Sequence, residues 1–328
     1  MAGAVVSFSR TILRRAAGLV AGAAVVVCTA APPPAAQQLP PNLTKDDLAK
    51  DNKLFLTVAR KALKWDVPTE PSKIVGPLHY VGTAGLSSYL FATREGHILF
   101  NTGMPESGPS IVESIKKLGF APAEIKILIN GHGHSDHAGA FAYFKKLTGA
   151  QVAIMGPDVA MVEDGGKSDF HYGHDWQIMG QPPVTVDRVL RDGDTVRLVE
   201  VLLVAHHTPG HTRGATTWET TLVDNGRAYK VVWPDGGGFN PGYRIGKEPM
   251  SYPGISADYR RTHHFHEMQR PDIFLGAHAE YFDYEQKRER AKTMGAQAWV
   301  NPEQYRQFVA TQKRAFEDQV DFELGVRR

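Results

Sequence analysis

Apolar positions along this chain follow two different periods, and the changes between them divide the sequence into short elements. Between residues 72 and 324, runs with strand-type composition alternate with segments in which apolar residues recur every three or four positions. Clusters of glycine, proline and aspartate separate these segments and indicate turns. The pattern therefore predicts a mixed α and β fold, of the α/β (α+β) class.

The strand-type runs fall into two groups, each followed by helices. Strands are predicted at residues 74–81, 86–93, 97–101, 125–129, 152–155, 184–190, 195–198, 201–205, 215–223, 230–233 and 273–275. Helices are predicted at 54–65, 110–118, 136–146, 157–163, 255–269, 284–292 and 302–324. Residues 164–183 and 234–246 are predicted as long loops, and loops of such length in a compact domain are commonly functional or mobile.

The first 36 residues differ from the rest of the chain. Residues 1–15 contain three arginines and no acidic residue, residues 16–31 are small and apolar, and prolines follow. This layout is typical of a secretory signal peptide, with an uncleaved anchor as the alternative. We therefore expect a periplasmic or secreted protein, without a stable membrane span after cleavage. Residues 37–72 form a polar lead-in, and residues 73–328 form the main domain.

Charge and cysteine content narrow the chemistry of the mature protein. The only cysteine, Cys28, lies in the predicted signal peptide, so the mature chain has no disulfide and no thiolate ligand. Without the three leader arginines, 34 of the 37 basic residues remain against 35 acidic ones. This balance gives no indication of nucleic-acid binding.

The segment 130–139 carries the densest set of metal-ligating side chains. It contains an H-x-H-x-D-H pattern formed by His132, His134, Asp136 and His137. In an extended loop, period-two spacing places His132 and His134 on one side, while the next two side chains are better placed for a second ion. Imidazole and carboxylate ligands without a thiolate suit zinc, and iron or manganese are the alternative metals. A polar turn that is rich in histidine is the alternative.

The pattern resembles the signature of the metallo-β-lactamase superfamily, from about residue 74 to about residue 295. That family expects a further histidine in a Thr-Pro-Gly-His-Thr context, which His211 supplies, and a last one after a late strand, which His278 supplies. The resemblance implies a four-layer αβ/βα sandwich and two Zn²⁺ ions. It assigns the first ion to His132, His134 and His211, and the second to Asp136, His137 and His278. This set is similar to that of subclass B3 enzymes.

The resemblance also implies an activity and a substrate. A B3-type enzyme hydrolyses the amide of a β-lactam antibiotic with a metal-bound hydroxide, which Asp136 orients as the catalytic carboxylate. The partner would be this small molecule. Some relatives carry an N-terminal extension beside the active site, and the lead-in of this chain could serve the same purpose. The resemblance does not predict the oligomeric state.

Two positions depart from the pattern of that subclass. Asn101 stands where most relatives have an aspartate, and we expect the change to weaken zinc binding. Asp235 precedes Gly236, Gly237 and Gly238, where B3 enzymes carry serines that help bind the substrate carboxylate. The glycines either offer backbone N–H groups to an anion or form a flexible loop.

Three other functions share this ligand set or this scaffold. An acyl-homoserine lactonase or a thioesterase would use Asp235 as a ligand between two ions. A non-catalytic zinc-binding module would keep the fold without the chemistry. A dioxygenase would use one iron, although six ligands fit two ions better.

Overall fold

The structure is a computed structural model that describes residues 44–326. The predicted signal peptide, at residues 1–36, lies outside the described residues. Every helix among these residues is too short or too polar to span a lipid bilayer.

Two β-sheets form the centre of the domain. The first has seven strands in chain order: β1 (Ser72–Val75), β2 (Leu78–Tyr80), β3 (Tyr89–Thr93), β4 (Gly96–Phe100), β5 (Ile125–Ile129), β6 (Gln151–Met155) and β7 (Arg188–Leu190). Strands β1 to β4 pair antiparallel, and β4 to β7 pair parallel. The second sheet has the order β12-β11-β10-β9-β8, formed by β8 (Thr195–Leu198), β9 (Val201–His207), β10 (Thr216–Asp224), β11 (Arg227–Trp233) and β12 (Ile273–Phe274).

Helices cover the outer faces of the sheets and their ends. Their bounds are α1 (Lys45–Lys50), α2 (Asn52–Ala62), α3 (Gly108–Lys117), α4 (Ser135–Ala138), α5 (Phe141–Thr148), α6 (Val159–Asp164), α7 (Trp176–Met179), α8 (Ile255–Met268), α9 (Tyr284–Met294) and α10 (Pro302–Glu323). Helices α3 and α5 pack on the first sheet, and α10 packs on α8 and β12. This arrangement confirms the predicted sandwich fold.

The central strands of the first sheet are apolar on both faces. In β4, Ile98 and Phe100 point into the core between the sheets, while Leu99 points towards α3 and α5. Side chains of a strand alternate between faces, so a strand that is covered on both sides is apolar at nearly every position. Across the core, the Phe100 ring meets Trp218 of the second sheet at 6.2 Å between ring centroids. The two sheets therefore share one continuous core.

Several predicted boundaries were wrong, each for a local reason. The strand at 74–81 is two strands, because Gly76 takes a left-handed backbone with φ +53° and turns the chain. The helix at 136–146 is interrupted, because the Gly139 N–H donates to the Gly103 carbonyl at 3.0 Å. The loop at 164–183 contains the short helix α7, and α1 in the lead-in was not predicted.

Candidate metal centre

The predicted ligands and Asp235 all follow the carboxyl ends of strands. Strand β5 leads into residues 130–137, β9 leads to His211, β11 leads to Asp235, and β12 leads to His278. Strands β9 and β11 are both antiparallel to β10, and β12 is parallel to β11, so these three strands end at the same edge of the second sheet. The side chains that follow these three strand ends are therefore brought close together.

His132, His134 and His211 form one compact cluster. One nitrogen from each ring lies within 4.8 Å of the others, and Nδ1 of His134 is 3.2 Å from Nε2 of His211. Two ligands of a tetrahedral zinc ion, each about 2.0–2.1 Å from the metal, would lie about 3.3 Å apart. The separation of these two nitrogens therefore fits a shared ion.

The outward nitrogen of each ring in this cluster meets a hydrogen-bond acceptor. Nδ1 of His132 donates to the Asp235 carboxylate at 2.9 Å, and Nε2 of His134 donates to Asp169 at 3.1 Å. Nδ1 of His211 donates to the Gly238 carbonyl at 3.1 Å. Each inner nitrogen then presents a lone pair, and Nε2 of His132 is buried without a protein partner. Converging lone pairs can bind a cation between them, so these residues fit a metal ion.

Asp136 and His137 form a second group next to the first. Oδ2 of Asp136 lies 3.0 Å from Nε2 of His137, and both residues form a compact group with His132. His278 lies slightly farther away, with its Nε2 3.7 Å from the same Asp136 oxygen. The structure therefore brings all six predicted ligands together around two adjoining positions.

The protonation states of most of these groups suit a cation. Burial lowers the pKa of His132 and His211 well below the ordinary value, and the neighbouring imidazoles lower it further. Burial also lowers the pKa of His278 to about 4. Burial raises the pKa of Asp136, but the charge and hydrogen bond of His137 outweigh it and hold that pKa well below its usual value. Asp136 is therefore an ionised carboxylate near neutral pH.

His134 behaves differently from the other imidazoles. Burial lowers its pKa, but the hydrogen bond and charge of Asp169 outweigh burial, so the net shift is upwards. Metal binding at this cluster would therefore compete with a proton at His134.

Two carboxylates that organise the site were not predicted as functional. Asp158, which is buried, accepts from the Gly133 N–H, the Thr212 hydroxyl and the Gly214 N–H at 2.6–2.9 Å. It thereby ties the loop of His134 to the loop of His211. Asp169 lies in the predicted long loop and holds His134. Only the position of Asp158, three residues after the end of the parallel strand β6, could have indicated it. No sequence signal marks Asp169.

The first residue of the glycine-rich segment after Asp235, Gly236, is tightly packed against the neighbouring backbone. Gly236 has φ +88°, a Cβ atom there would lie 1.7 Å from the Thr208 carbonyl oxygen, and its N–H donates to Asp235 at 2.6 Å. That N–H is therefore not available to an anion. Gly237 and Gly238 border the cavity instead, with the Gln312 side chain of α10 against them.

A cavity of about 350 Å³ opens over the metal-ligand cluster. One wall comes from the lead-in, mainly the apolar face of α2, which confirms that this segment borders the site. No lysine or arginine from residues 44–326 lines it. Its main apolar and amide side chains are Phe55, Leu56, Ala59, Leu63, Phe308 and Gln312.

Comparison with known proteins places this site in a family. A profile described as the metallo-beta-lactamase superfamily matches residues 82–221. The FEZ-1 metallo-beta-lactamase from Legionella gormanii is 40% identical over 78% of this chain and 97% of its own, with a TM-score of 0.76. BJP-1, a subclass B3 metallo-beta-lactamase of Bradyrhizobium japonicum, is 33% identical over 82% of this chain and 99% of its own, with a TM-score of 0.74.

The curated relatives match a smaller part. An N-acyl homoserine lactonase of Bacillus thuringiensis is 25% identical over 38% of this chain and 54% of its own length. The chain spans between 37% and 54% of the length of the first curated relatives that it matches. The solved structures, in contrast, align over nearly their whole length and at higher identity. On this evidence, the chain belongs to the metallo-β-lactamase superfamily.

Proposed function

We propose that this protein is a secreted, zinc-dependent β-lactamase of subclass B3 type. The observation that carries the proposal is the cluster of His132, His134 and His211, each held by an acceptor on its outer nitrogen, beside the ionised Asp136. Similarity to FEZ-1 and BJP-1 along almost their full length supports β-lactams as substrates.

The residues of the site have separate roles in this reaction. Zinc, when bound, lowers the pKa of a coordinated water to about 7 and polarises a carbonyl oxygen. Asp136 accepts a hydrogen bond from the attacking water and fixes its direction. During hydrolysis the amide C–N bond of the four-membered ring breaks, the carbonyl carbon gains an oxygen from water, and the nitrogen gains a proton.

The cavity walls favour a particular mode of substrate binding. The apolar face of α2 can pack against the side group of the antibiotic and exclude water. Because no basic side chain of the described residues lines the cavity, the substrate carboxylate would depend on neutral donors. Gln312, which lies against Gly237, is the polar side chain in the best position to supply one.

A lactonase is the second candidate, and the position of Asp235 argues against it. In a lactonase, Asp235 would bind two metal ions. Here its two carboxylate oxygens lie 2.9 and 3.0 Å from Nδ1 of His132, so the carboxylate holds this imidazole instead. The apolar cavity, without a lysine or arginine from residues 44–326, is the observation that favours a lactone with an acyl chain.

The test uses the mature protein from about residue 37, loaded with zinc. It is assayed against a cephalosporin, a carbapenem and an acyl-homoserine lactone, with and without a chelator. We expect β-lactam turnover that the chelator abolishes and that Asp136→Asn lowers by at least about a hundredfold. Asp318→Asn, an exposed aspartate of α10, is the control. Lactone turnover without β-lactam turnover would transfer the assignment to the lactonase.

Export is tested separately. Cell fractionation followed by amino-terminal sequencing of the mature chain should place the protein outside the cytoplasm, with cleavage near residue 36. An intact amino terminus in the cytoplasmic fraction would contradict secretion and leave the enzymatic proposal standing.

A further inference from the structure

Asn101 is a buried residue that links the metal-binding loop to His137. Its side chain is 1% exposed, and its backbone has φ +56°, a left-handed conformation that asparagine and aspartate tolerate. Oδ1 accepts a hydrogen bond from the Gly131 N–H at 3.0 Å. Nδ2 then lies 3.4 Å from Nδ1 of His137.

These contacts fix the position of the proton on His137. The amide nitrogen of Asn101 only donates, so Nδ1 of His137 satisfies it only with a lone pair. A neutral imidazole carries its single proton on the other nitrogen, which here is Nε2, 3.0 Å from Oδ2 of Asp136. In this tautomer Nε2 has no lone pair for a metal ion.

Turning the amide over does not remove the conflict. Oδ1 would then accept a proton from Nδ1 of His137, but the NH₂ group would face the Gly131 N–H, and both of these are donors. The Asn101 side chain has a single acceptor, Oδ1. When His137 binds a metal ion, the Gly131 N–H and the Nδ1–H of His137 both need an acceptor, and only one of them can have it. The conclusion is therefore independent of the orientation of the amide.

The three histidines of the first metal position have the opposite hydrogen-bond arrangement. The outward nitrogens of His132, His134 and His211 all meet acceptors, which leaves their inner nitrogens ready for an ion. The outward nitrogen of His137 meets a donor instead. The first position is thus prepared for a cation, whereas His137 at the adjoining position must change its tautomer before it can bind one.

We propose that the two metal positions differ in affinity because of Asn101. The ion at His132, His134 and His211 binds first and is held in the resting protein. The ion at Asp136, His137 and His278 binds at least about tenfold more weakly than it would with a second acceptor at residue 101. Asn101 is in this sense a positioning residue, and the inference rests on the proposed metal-dependent function.

The test compares the wild type with Asn101→Asp, which keeps the shape and offers acceptors to both neighbours. Metal-free protein is titrated with Co²⁺ and Zn²⁺ against a competing chelator, and both stepwise affinities are recorded. In the variant, we expect the second affinity to rise at least about tenfold while the first changes by less than about threefold. Equal tightening of both steps would indicate a general charge effect and overturn the proposal.

The tautomer itself supplies a readout that needs neither the variant nor a substrate. The ¹⁵N shifts of the His137 ring in the metal-free wild type should place the proton on Nε2, and in Asn101→Asp on Nδ1. A wild-type proton on Nδ1 would refute the inference even if the variant failed to fold. Because metal affinity and tautomer are measured without turnover, failure of the β-lactamase assignment would be recognised separately.

Discussion

Replacement of Asp235 by asparagine tests how the first metal position is held. The carboxylate accepts from Nδ1 of His132 at 2.9 Å and from the Gly236 N–H at 2.6 Å. The amide keeps the size of the side chain and one oxygen, but it loses the charge and one acceptor. His132 is then less strongly fixed in the tautomer whose Nε2 points into the cluster.

The expected loss of metal affinity in Asp235→Asn follows from the kind of hydrogen bond that is lost. A hydrogen bond to a charged group contributes about 1.5–3 kcal/mol, against about 0.5–1.5 kcal/mol for a neutral pair. The difference of about 1–1.5 kcal/mol corresponds to about a tenfold loss of metal affinity. This value lies at the lower end of the 10–100-fold effects typical of residues that orient a metal-binding histidine.

The assay is a competition titration with a chromophoric chelator, in which the two binding steps are resolved. We expect Asp235→Asn to weaken the first step about tenfold and to leave the second step within about threefold. Asp224→Asn, at a carboxylate that ends β10 and pairs with Lys73, should change neither step. Loss of the second ion with an unchanged first step would show that Asp235 is itself a ligand, and our reading of the site would be wrong.

Three further predictions concern the glycine-rich loop, a buried histidine and the cavity wall. Gly236→Ala should lower the free energy of unfolding by at least about 2 kcal/mol in urea titrations, because strain at positive φ adds to the clash with Thr208. The control is Gly193→Ala, where φ is also positive, at +81°, but no atom of the described residues, the two chain neighbours aside, lies within 4 Å of the new methyl group; it should lower the free energy of unfolding by only about 1 kcal/mol. His263→Phe should flatten the acid dependence of stability. Burial lowers the pKa of His263 to about 4, so the unfolded chain takes up a proton at a higher pH than the folded chain does. The free energy of unfolding of the wild type should therefore fall by up to about 3 kcal/mol between about pH 6.5 and pH 4. Urea unfolding at several pH values checks this, and the exposed His264→Phe should leave the dependence unchanged. Phe55→Ala should raise KM about tenfold for the best substrate with little change in kcat, because the ring lines the cavity without being one of the metal ligands. The exposed Phe322→Ala should leave KM unchanged.

A stability loss at Gly236 no larger than that at Gly193 would mean that the loop relaxes around the new methyl group. A steep acid dependence retained in His263→Phe would place the responsible group elsewhere. A fall in kcat instead of a rise in KM would assign Phe55 to the chemical step.

The sequence predicted the ligands better than it predicted their support. His132, His134, Asp136 and His137 stand within six residues, so their proximity follows from the chain itself. The partners that fix the ring tautomers come from distant positions, as Asp169 does for His134 across 35 residues. No local pattern records such a hydrogen bond, because it depends on how separate loops meet after folding.

Element boundaries failed where tertiary contacts overrode local preference. Residues 136–146 have helical composition, yet the helix breaks at Gly139, where a Cβ atom would lie 2.5 Å from the Pro105 nitrogen. The close approach of that second segment, invisible in the sequence, decides the conformation. The opposite holds for Ile125–Ile129, whose apolar content alone predicts the strand that aims the metal-binding loop.

The Asp158 carboxylate has a thermodynamic consequence for metal uptake. Its three hydrogen bonds hold the loops of His134 and His211 in place through protein contacts alone. The backbone around the first position is thus ordered before any ion arrives, and binding requires little loss of chain entropy. Calorimetry should accordingly record a small heat-capacity change on uptake of the first ion, because almost no apolar surface is buried in that step. The protein would then reach its folded shape without waiting for a metal ion, and bind the ion afterwards.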